Sequence, residues 1–420
     1  MSVKKYWLSL FIWFQYFWEL YIETRQYRLC KNTTTVPSPL SDVISREKFD
    51  GERSNMIEKH QIFFIQGFFS VFSSTMMIHS GLLSNAWTYA VKFSPWEGEV
   101  ILSCIWLFLL SGITAITDLP VSACQHFVIE QNDFNEETAK VFILNKLESF
   151  FYSQCVILPI CSIAVMTLEN NDRLFFLSVW ICTVTIIILI RLILPSYVVP
   201  VFDNYRILPE GELRSEIEVL AEDLDFPLKN VYIVNESQMS LNNKVLCFGF
   251  SEAQYIILSD TLLQNSRSGG CKNDEILAVL SHEIGHWKYN HTLKLTVLNQ
   301  ISLFLNLCLY SFMIKYPPIY IAVGFPEDVQ PALAGMLAVV EFLSTPLTAL
   351  LRCIQNYVSQ HFVLESDAFV KGLEKHEPLE RALLRVFKEK AEFPVYDNLF
   401  SKWHHSHPPL LQRLAALRTN

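Results

Sequence analysis

The sequence predicts an α-helical integral membrane protein with seven transmembrane helices and a small α+β domain outside the bilayer. Three observations predict it. Of 420 residues, 51% are apolar and only 18% charged, against roughly 25% charged in an ordinary soluble domain. Seven windows approach the about 20 helical residues needed to span a hydrocarbon core. Two stretches, 196–294 and 352–420, are too polar for lipid.

The windows are 6–22, 62–83, 101–119, 151–168, 174–195, 295–314 and 332–351. The first, "WLSLFIWFQYFWELYI", is aromatic-rich and lacks a small-residue cleavage site, so it is expected to stay in the mature protein rather than act as a signal peptide. Lys and Arg crowd the first loop (Arg25, Arg28, Lys31, Arg46, Lys48, Arg53, Lys59) and the tail after 351, which places both, with the long 196–294 loop, on the cytosolic side. The glycosylation-like triplets at Asn32, Asn235 and Asn290 would then face the cytosol and stay bare. A formal charge of −9 argues against a nucleic-acid partner. Ten scattered cysteines without a CxxC pair read as reduced thiols, neither a disulfide framework nor a Cys-type zinc site.

Within the first polar stretch, "NVYIVN", "KVLCFGF" and "YIILSD" read as short strands, rich in β-branched and aromatic residues. "NDEILAVLSHEIGHWKYNH" reads as a helix capped by Asn273 or Asp274, with acidic residues in its first turn. "NSRSGG", residues 265–270, reads as a flexible linker.

That helix carries the chemistry. His282 and His286 are four residues apart, so both imidazoles leave one helical face and can reach a single ion. Two His, a carboxylate and an open position are the donor set of a catalytic zinc, which brings the pKa of a bound water toward 7, and Glu283 is placed to take its proton. Gly285 leaves the helix surface bare, room for another element to approach. His291, five beyond His286, falls off the ligand face of a continuous helix and reads as a surface residue or as a support behind the ligands. The rival reading of the motif is a chance match on an exposed amphipathic helix; the strands before it and the membrane window after it favour a metal site.

The stretches "WELYIETRQYR", "TTTVPSPL", "FVIEQNDFN", "VFDNYRILPEGELRSEIEVLAEDLDFPLKNVYIV", "GCKNDEILAVLSHEIGHWKYNHT" and "WHHSHPPLLQRLAAL" cover nearly the whole chain. In order and content they resemble the type I CaaX prenyl endopeptidases, seven-span zinc metalloproteases of the endoplasmic reticulum and inner nuclear membrane. The resemblance implies a chambered helical barrel closed by a zincin-like domain facing the cytosol, a zinc cofactor, and farnesylated or otherwise prenylated CaaX proteins as substrates, cut after the modified Cys. It implies that His282 and His286 bind zinc and that Glu283 is the general base. His407 matches a His that steadies the oxyanion, Arg413 a nearby basic residue, Asp367 the carboxylate that orients a zinc-bound His, and His404 a His of less defined duty. Domain limits follow: 1–195 for the first five spans, 196–294 for the zincin-like part with the HExxH helix, 295–351 for the last two spans, and 352–420 for a segment that completes the protease domain.

Two departures stand out. The resemblance calls for a third zinc ligand, a Glu four residues before Asp367, and that position holds Val363 in "SQHFVLESDAF". Glu365 lies about 200° further round a helix, so it can replace the missing ligand only if the helix is rewound or shifted locally; His361 has the same difficulty. Where the family carries a His-Ser-Asn triplet on an edge strand, this chain has Asn242, Asn243 and Lys244. Glu341, an ionisable group inside the seventh window, is expected to line the chamber. The expected function is zinc endopeptidase action on prenylated CaaX proteins. The alternative is a catalytically silent paralogue that binds or clears membrane-associated chains.

Overall fold

A computed structural model of the chain describes residues 3–96, 98–128, 139–169, 175–193, 206–234, 245–250, 253–263, 270–314, 316–390 and 392–419. Six helices come first: α1 (Val3–Asn32), α2 (Arg46–Ser80), α3 (Leu82–Phe93), α4 (Glu99–Val128), α5 (Ala139–Glu169) and α6 (Phe175–Ile193). A mixed segment follows with β1 (Arg206–Ile207), α7 (Glu212–Asp223), β2 (Leu228–Val234), β3 (Val245–Phe250) and β4 (Ala253–Ser259). The remainder is helical: α8 (Asn273–Lys288), α9 (His291–Met313), α10 (Pro317–Ala322), α11 (Ala332–Ala338), α12 (Thr345–Gly372), α13 (His376–Lys390), α14 (Asn398–His404) and α15 (Leu410–Arg418). Nine of the ten cysteines lie among residues whose side chains are described, and all nine are thiols rather than half-cystines.

The chain forms two compact units. The first comprises Met1–Tyr27, Asn55–Trp180 and Ser302–Leu350; the second comprises Arg28–Ser54, Ile181–Ile301 and Leu351–Asn420.

In the first unit the core gathers around two indoles. Trp106 is fully buried, its N–H donates to the carbonyl of Leu83 at 2.8 Å, and its ring meets Trp87 and Phe325 edge-on at 6.1 and 6.5 Å. Satisfying the indole N–H is what lets so large a ring be buried without cost. Gly81, at φ 69°, takes the left-handed turn between α2 and α3 that a side chain would resist. Phe14, Ile116 and Phe312 turn outward with more than 70% of their surface exposed, an arrangement suited to lipid rather than water. Inside the "WELYIETRQYR" stretch, buried Glu23 lies 2.6 Å from His60 Nδ1, which pairs a charge that lipid could not solvate.

Among the described residues four helices are long and apolar enough to cross a membrane: α2, α4, α5 and α9. A fifth span results if residues 332–343 and α12, bent by 52°, count as one. The sequence windows 6–22 and 174–195 also fall on helices, α1 and α6. In α1 the Leu, Ile and Phe of the stretch are interspersed with Trp and Tyr, whose rings carry a polar atom each, and the described side chains of α6 form the apolar run Phe176–Leu189. The bend follows a π-helical turn, Val339–Leu343, and Glu341 is exposed on it.

The second unit is built on a four-stranded sheet of order β1-β2-β4-β3. β2 and β4 run parallel and pair Val231 with Ile256, while β3 and β4 are antiparallel and pair Cys247 with Ile256. The three strands read from the sequence coincide with β2, β3 and β4. β3 is an edge, as expected for the element carrying the departed triplet, although Asn242, Asn243 and Lys244 themselves lie outside the described residues, as do Asn235 and residues 264–269 of the linker. On the sheet lies α8, whose Ile276, Leu280 and Ile284 recur every fourth residue, are at most 1% exposed, and join Val231, Ile256 and Leu258 in one cluster. Burying each such side chain contributes roughly 1.5–3 kcal/mol. The cap differs from expectation: Lys272, not Asn273 or Asp274, precedes the helix, and its backbone N–H donates to Glu275 Oε2 at 3.1 Å. Glu275 is 1% exposed and held by Arg381 and Arg385 of α13.

Candidate metal centre

Helical phase places the site. The stripe Ile276, Leu280, Ile284 faces the sheet, so a second stripe of the same period, Ala278, His282, His286, faces the other way. Ala278 packs with Val370 of α12, Leu379 of α13 and Leu417 of α15. One and two turns further along, the two imidazoles emerge, and their Nε2 atoms are 3.2 Å apart.

Close approach of α12 depends on Gly285. A Cβ there would lie 3.0 Å from Phe369 Cδ1 and 3.4 Å from Ser366 Oγ. The bare surface read from the sequence is thus where α12 packs.

α12 delivers Asp367, 1% exposed, whose Oδ1 lies 2.9 Å from His282 Nδ1, angled away from an ideal hydrogen bond. Arg413 of α15 closes on the same carboxylate with two donors, Nε to Oδ2 at 2.8 Å and Nη2 to Oδ1 at 2.7 Å. This is the bidentate fork that guanidinium offers a carboxylate. Asp367 therefore stands between a histidine and an arginine, His282 on one side and Arg413 on the other.

Val363 sits one turn before Asp367 on the same face of α12 and is 3% exposed. An apolar side chain thus occupies the turn where the resemblance calls for a carboxylate. Glu365 is brought elsewhere: its Oε2 lies 3.0 Å from His291 Nε2. His291 in turn puts Nδ1 3.0 Å from His286 Nδ1. Glu365 thus reaches His286 through His291 rather than joining the Nε2 pair directly. Among the described residues no group of three or more His, Cys, Asp or Glu is arranged to hold a metal ion.

His291 is 1% exposed, so the surface reading is replaced by burial beside His286. The cause is local. α8 ends at Lys288, Asn290 adopts φ 56°, and α9 starts at His291. Asn tolerates the left-handed region, and that turn brings the imidazole back over His286. Phe362 stacks on it with centroids 4.1 Å apart and planes 7° from parallel. Phe362 and Ser366, whose Oγ is 3.5 Å from His291 Nδ1, were not singled out by sequence reasoning.

His407 is exposed on the connection between α14 and α15, with Nδ1 3.0 Å from Ser406 Oγ. His404, at the end of α14, rests its ring 4.7 Å from Phe400. His361 is exposed on α12.

Burial governs the electrostatics. His286 is pushed down to about 3, first by desolvation and then by the neighbouring His282, His291 and Arg413. Glu283 moves upward because burial penalises its charged form, against the pull of His282 and Arg413. Cys247 on β3 rises well above its ordinary value, through burial and then the charge of Glu283. At neutral pH His286 is therefore an uncharged imidazole, the form that donates a lone pair to a cation.

Residues 208–420 match the family model described as peptidase family M48, and residues 26–204 match the CAAX prenyl protease N-terminal model, described as five membrane helices. The human protein named CAAX prenyl protease 1 homolog is 35% identical over 98% of this chain and 94% of its own length. The rice protein of that name is 32% identical over 97% of this chain and 95% of its own length. The crystal structure of S. mikatae Ste24p is similar with a TM-score of 0.75, at 28% identity over 99% of each chain.

Proposed function

Since the chain belongs to peptidase family M48 and is a membrane metalloendopeptidase, we propose that it holds zinc and removes the C-terminal tripeptide of prenylated CaaX proteins. The observation that carries this reading is the facing pair of Nε2 atoms, 3.2 Å apart. Two nitrogens each about 2.0–2.1 Å from one ion stand at about that separation when the angle between them is near tetrahedral. The donor set suits the ion in kind as well as distance, because His286 is uncharged and a carboxylate backs His282.

His282 and His286 would hold the zinc, which supplies Lewis acidity toward the scissile carbonyl and toward water. Glu283 takes the proton of the attacking water and passes it to the departing amine. Its upward shift suits that task, since a carboxylate that must both take and give a proton works best with a pKa nearer the operating pH. Asp367 keeps the hydrogen of His282 on Nδ1, and Arg413 holds Asp367 in place. His407 is assigned to the oxyanion by resemblance. Glu365 serves as a third ligand only in a rewound α12; where it stands it supports His291.

In this reading residues 1–195 and 295–351 form a seven-span chambered barrel, with Glu341 toward the chamber. Residues 196–294 and 352–420 form the zincin-like domain, facing the cytosol from the endoplasmic reticulum or inner nuclear membrane. The prenyl tail explains the membrane setting. Each buried methylene contributes about 0.8 kcal/mol, so the lipid is a strong handle that keeps the peptide at the bilayer. The silent-paralogue alternative draws no support from the relatives above, all named as proteases.

The test is metal analysis of the detergent-purified chain together with cleavage of a farnesylated CaaX peptide. About one zinc per chain, chelator-sensitive cleavage, and loss of cleavage in Glu283→Gln are expected. A preparation without zinc at neutral pH would sink the reading.

A further inference from the structure

We infer that His291 and Glu365 are positioning residues that fix the ring of His286 with its hydrogen on Nδ1, leaving the Nε2 lone pair turned toward His282. The consequence for metal rests on the reading that His282 and His286 hold an ion; the hydrogen-bond polarity itself does not.

The argument is one of donors and acceptors. A carboxylate only accepts, so the 3.0 Å contact between Glu365 Oε2 and His291 Nε2 requires the histidine to donate there. A neutral imidazole has one N–H. His291 Nδ1 is therefore an acceptor; of the two groups that face it, Ser366 Oγ at 3.5 Å and His286 Nδ1 at 3.0 Å, the nearer nitrogen is its donor, since two bare lone pairs would repel at that distance. The single hydrogen of His286 is then spent on His291, and Nε2 is left bare 3.2 Å from His282 Nε2. Asp367, whose Oδ1 stands 2.9 Å from His282 Nδ1, favours the same polarity on His282 from the other side, because a carboxylate beside a ring nitrogen attracts its hydrogen. Two carboxylates, one acting directly and one through a second imidazole, thus turn two lone pairs toward the same point.

The relay is built to stay in place. His291 is 1% exposed, Phe362 lies flat against its ring at 4.1 Å, and the left-handed Asn290 fixes where α9 begins. Glu365 is the accessible end, with 38% of its side chain exposed, at the rim of a pocket of about 360 Å³ lined also by Tyr289, Ala368, Phe369, Gly372 and Leu373. Glu365, which stands two residues from the position of the missing ligand, thereby acquires a role that needs no rewinding of α12.

The experiment uses the full chain in detergent. Nitrogen-15 NMR of histidine-labelled, metal-free protein at neutral pH, with His286→Asn to assign the signals, is expected to show His286 carrying its hydrogen on Nδ1. A hydrogen on Nε2 overturns the inference whether or not the protein binds metal. Zinc affinity by chelator competition gives the second readout. His291→Leu and Glu365→Leu are expected to weaken zinc about 10- to 100-fold, whereas His291→Asn, whose amide oxygen can accept in place of Nδ1, stays close to the parent. Should the Leu and Asn variants of His291 lose affinity equally, or neither lose any, the relay has no positioning role. Glu365→Leu keeps the test valid if His291→Leu fails to fold, because Glu365 is partly exposed. A parent chain that binds no zinc defeats the proposed centre and leaves the NMR result to decide the relay.

Discussion

Arg413 grips both oxygens of Asp367, at 2.8 and 2.7 Å, and so fixes the carboxylate that stands 2.9 Å from His282. The last helix of the chain is thereby tied to the first candidate ligand through one buried side chain. Lysine keeps the charge of arginine but offers no planar fork. Arg413→Lys is expected to lower zinc affinity and cleavage of a farnesylated peptide together, by about 10- to 100-fold. Unchanged affinity measured by chelator competition would show that Asp367 holds His282 without help.

Gly285 sets the distance between α8 and α12. Alanine there gains about 1 kcal/mol in helix propensity over glycine, yet its Cβ would sit 3.0 Å from Phe369, and overpacking costs typically 1–3 kcal/mol. Gly285→Ala is expected to lose about 1 kcal/mol in denaturant unfolding of the purified chain, and Gly285→Val more. A stabilised alanine variant would mean that Phe369 moves aside freely.

What the sequence made legible here was whatever depends on periodicity within one element. Ile276, Leu280 and Ile284 announce the face of α8 that lies on the sheet, His282 and His286 the face that does not, and the β-branched runs mark three of the four strands. What it concealed depends on a change of phase. Counting five residues from His286 along a continuous helix sends His291 to the side, but Asn290 at φ 56° ends that helix and restarts another, returning the ring to the site. Asn next to a histidine at the end of an apolar pattern was the available signal. Glu365 is legible as a carboxylate near the missing ligand, but its contact is not, because its partner is an imidazole that phase counting sends elsewhere. The windows 6–22 and 174–195 are legible as helices from apolar length alone, and α1 and α6 lie on them.

Acid should destabilise the metal-free chain through His286. The group takes a proton near pH 6.5 when unfolded but only near about 3 when folded, so between those values the unfolded state binds more protons and stability falls with pH. The contribution is complete above about 6.5. Glu283 acts with the opposite sign, since its raised value lets the folded state hold a proton that the unfolded state has released, and it offsets part of the loss. Denaturant unfolding at descending pH should therefore show a loss through this window that is smaller in His286→Leu. An equal loss in both proteins would place the acid sensitivity elsewhere.

Val363 is where the chain departs furthest from a three-ligand centre, and the structure gives its replacement a definite geometry. It lies one helical turn before Asp367, on a face already directed at His282, and only 3% of its surface is exposed. A carboxylate introduced there needs no rewinding of α12 to face the two imidazoles. Two opposing effects follow from burial. Without metal the new charge has lost its water and sits in an apolar slot, which destabilises the folded state. With metal the same charge completes the donor set of a catalytic zinc site. Val363→Glu is accordingly expected to unfold more readily than the parent in chelator, to gain more from added zinc, and to bind zinc at least about 10-fold more tightly, in line with stabilisation that grows with the logarithm of ligand over dissociation constant. Thermal unfolding with and without zinc, run beside chelator competition, measures all three. If affinity does not rise, residue 363 is not the turn that faces the ion, and Glu365 regains its claim as the third ligand.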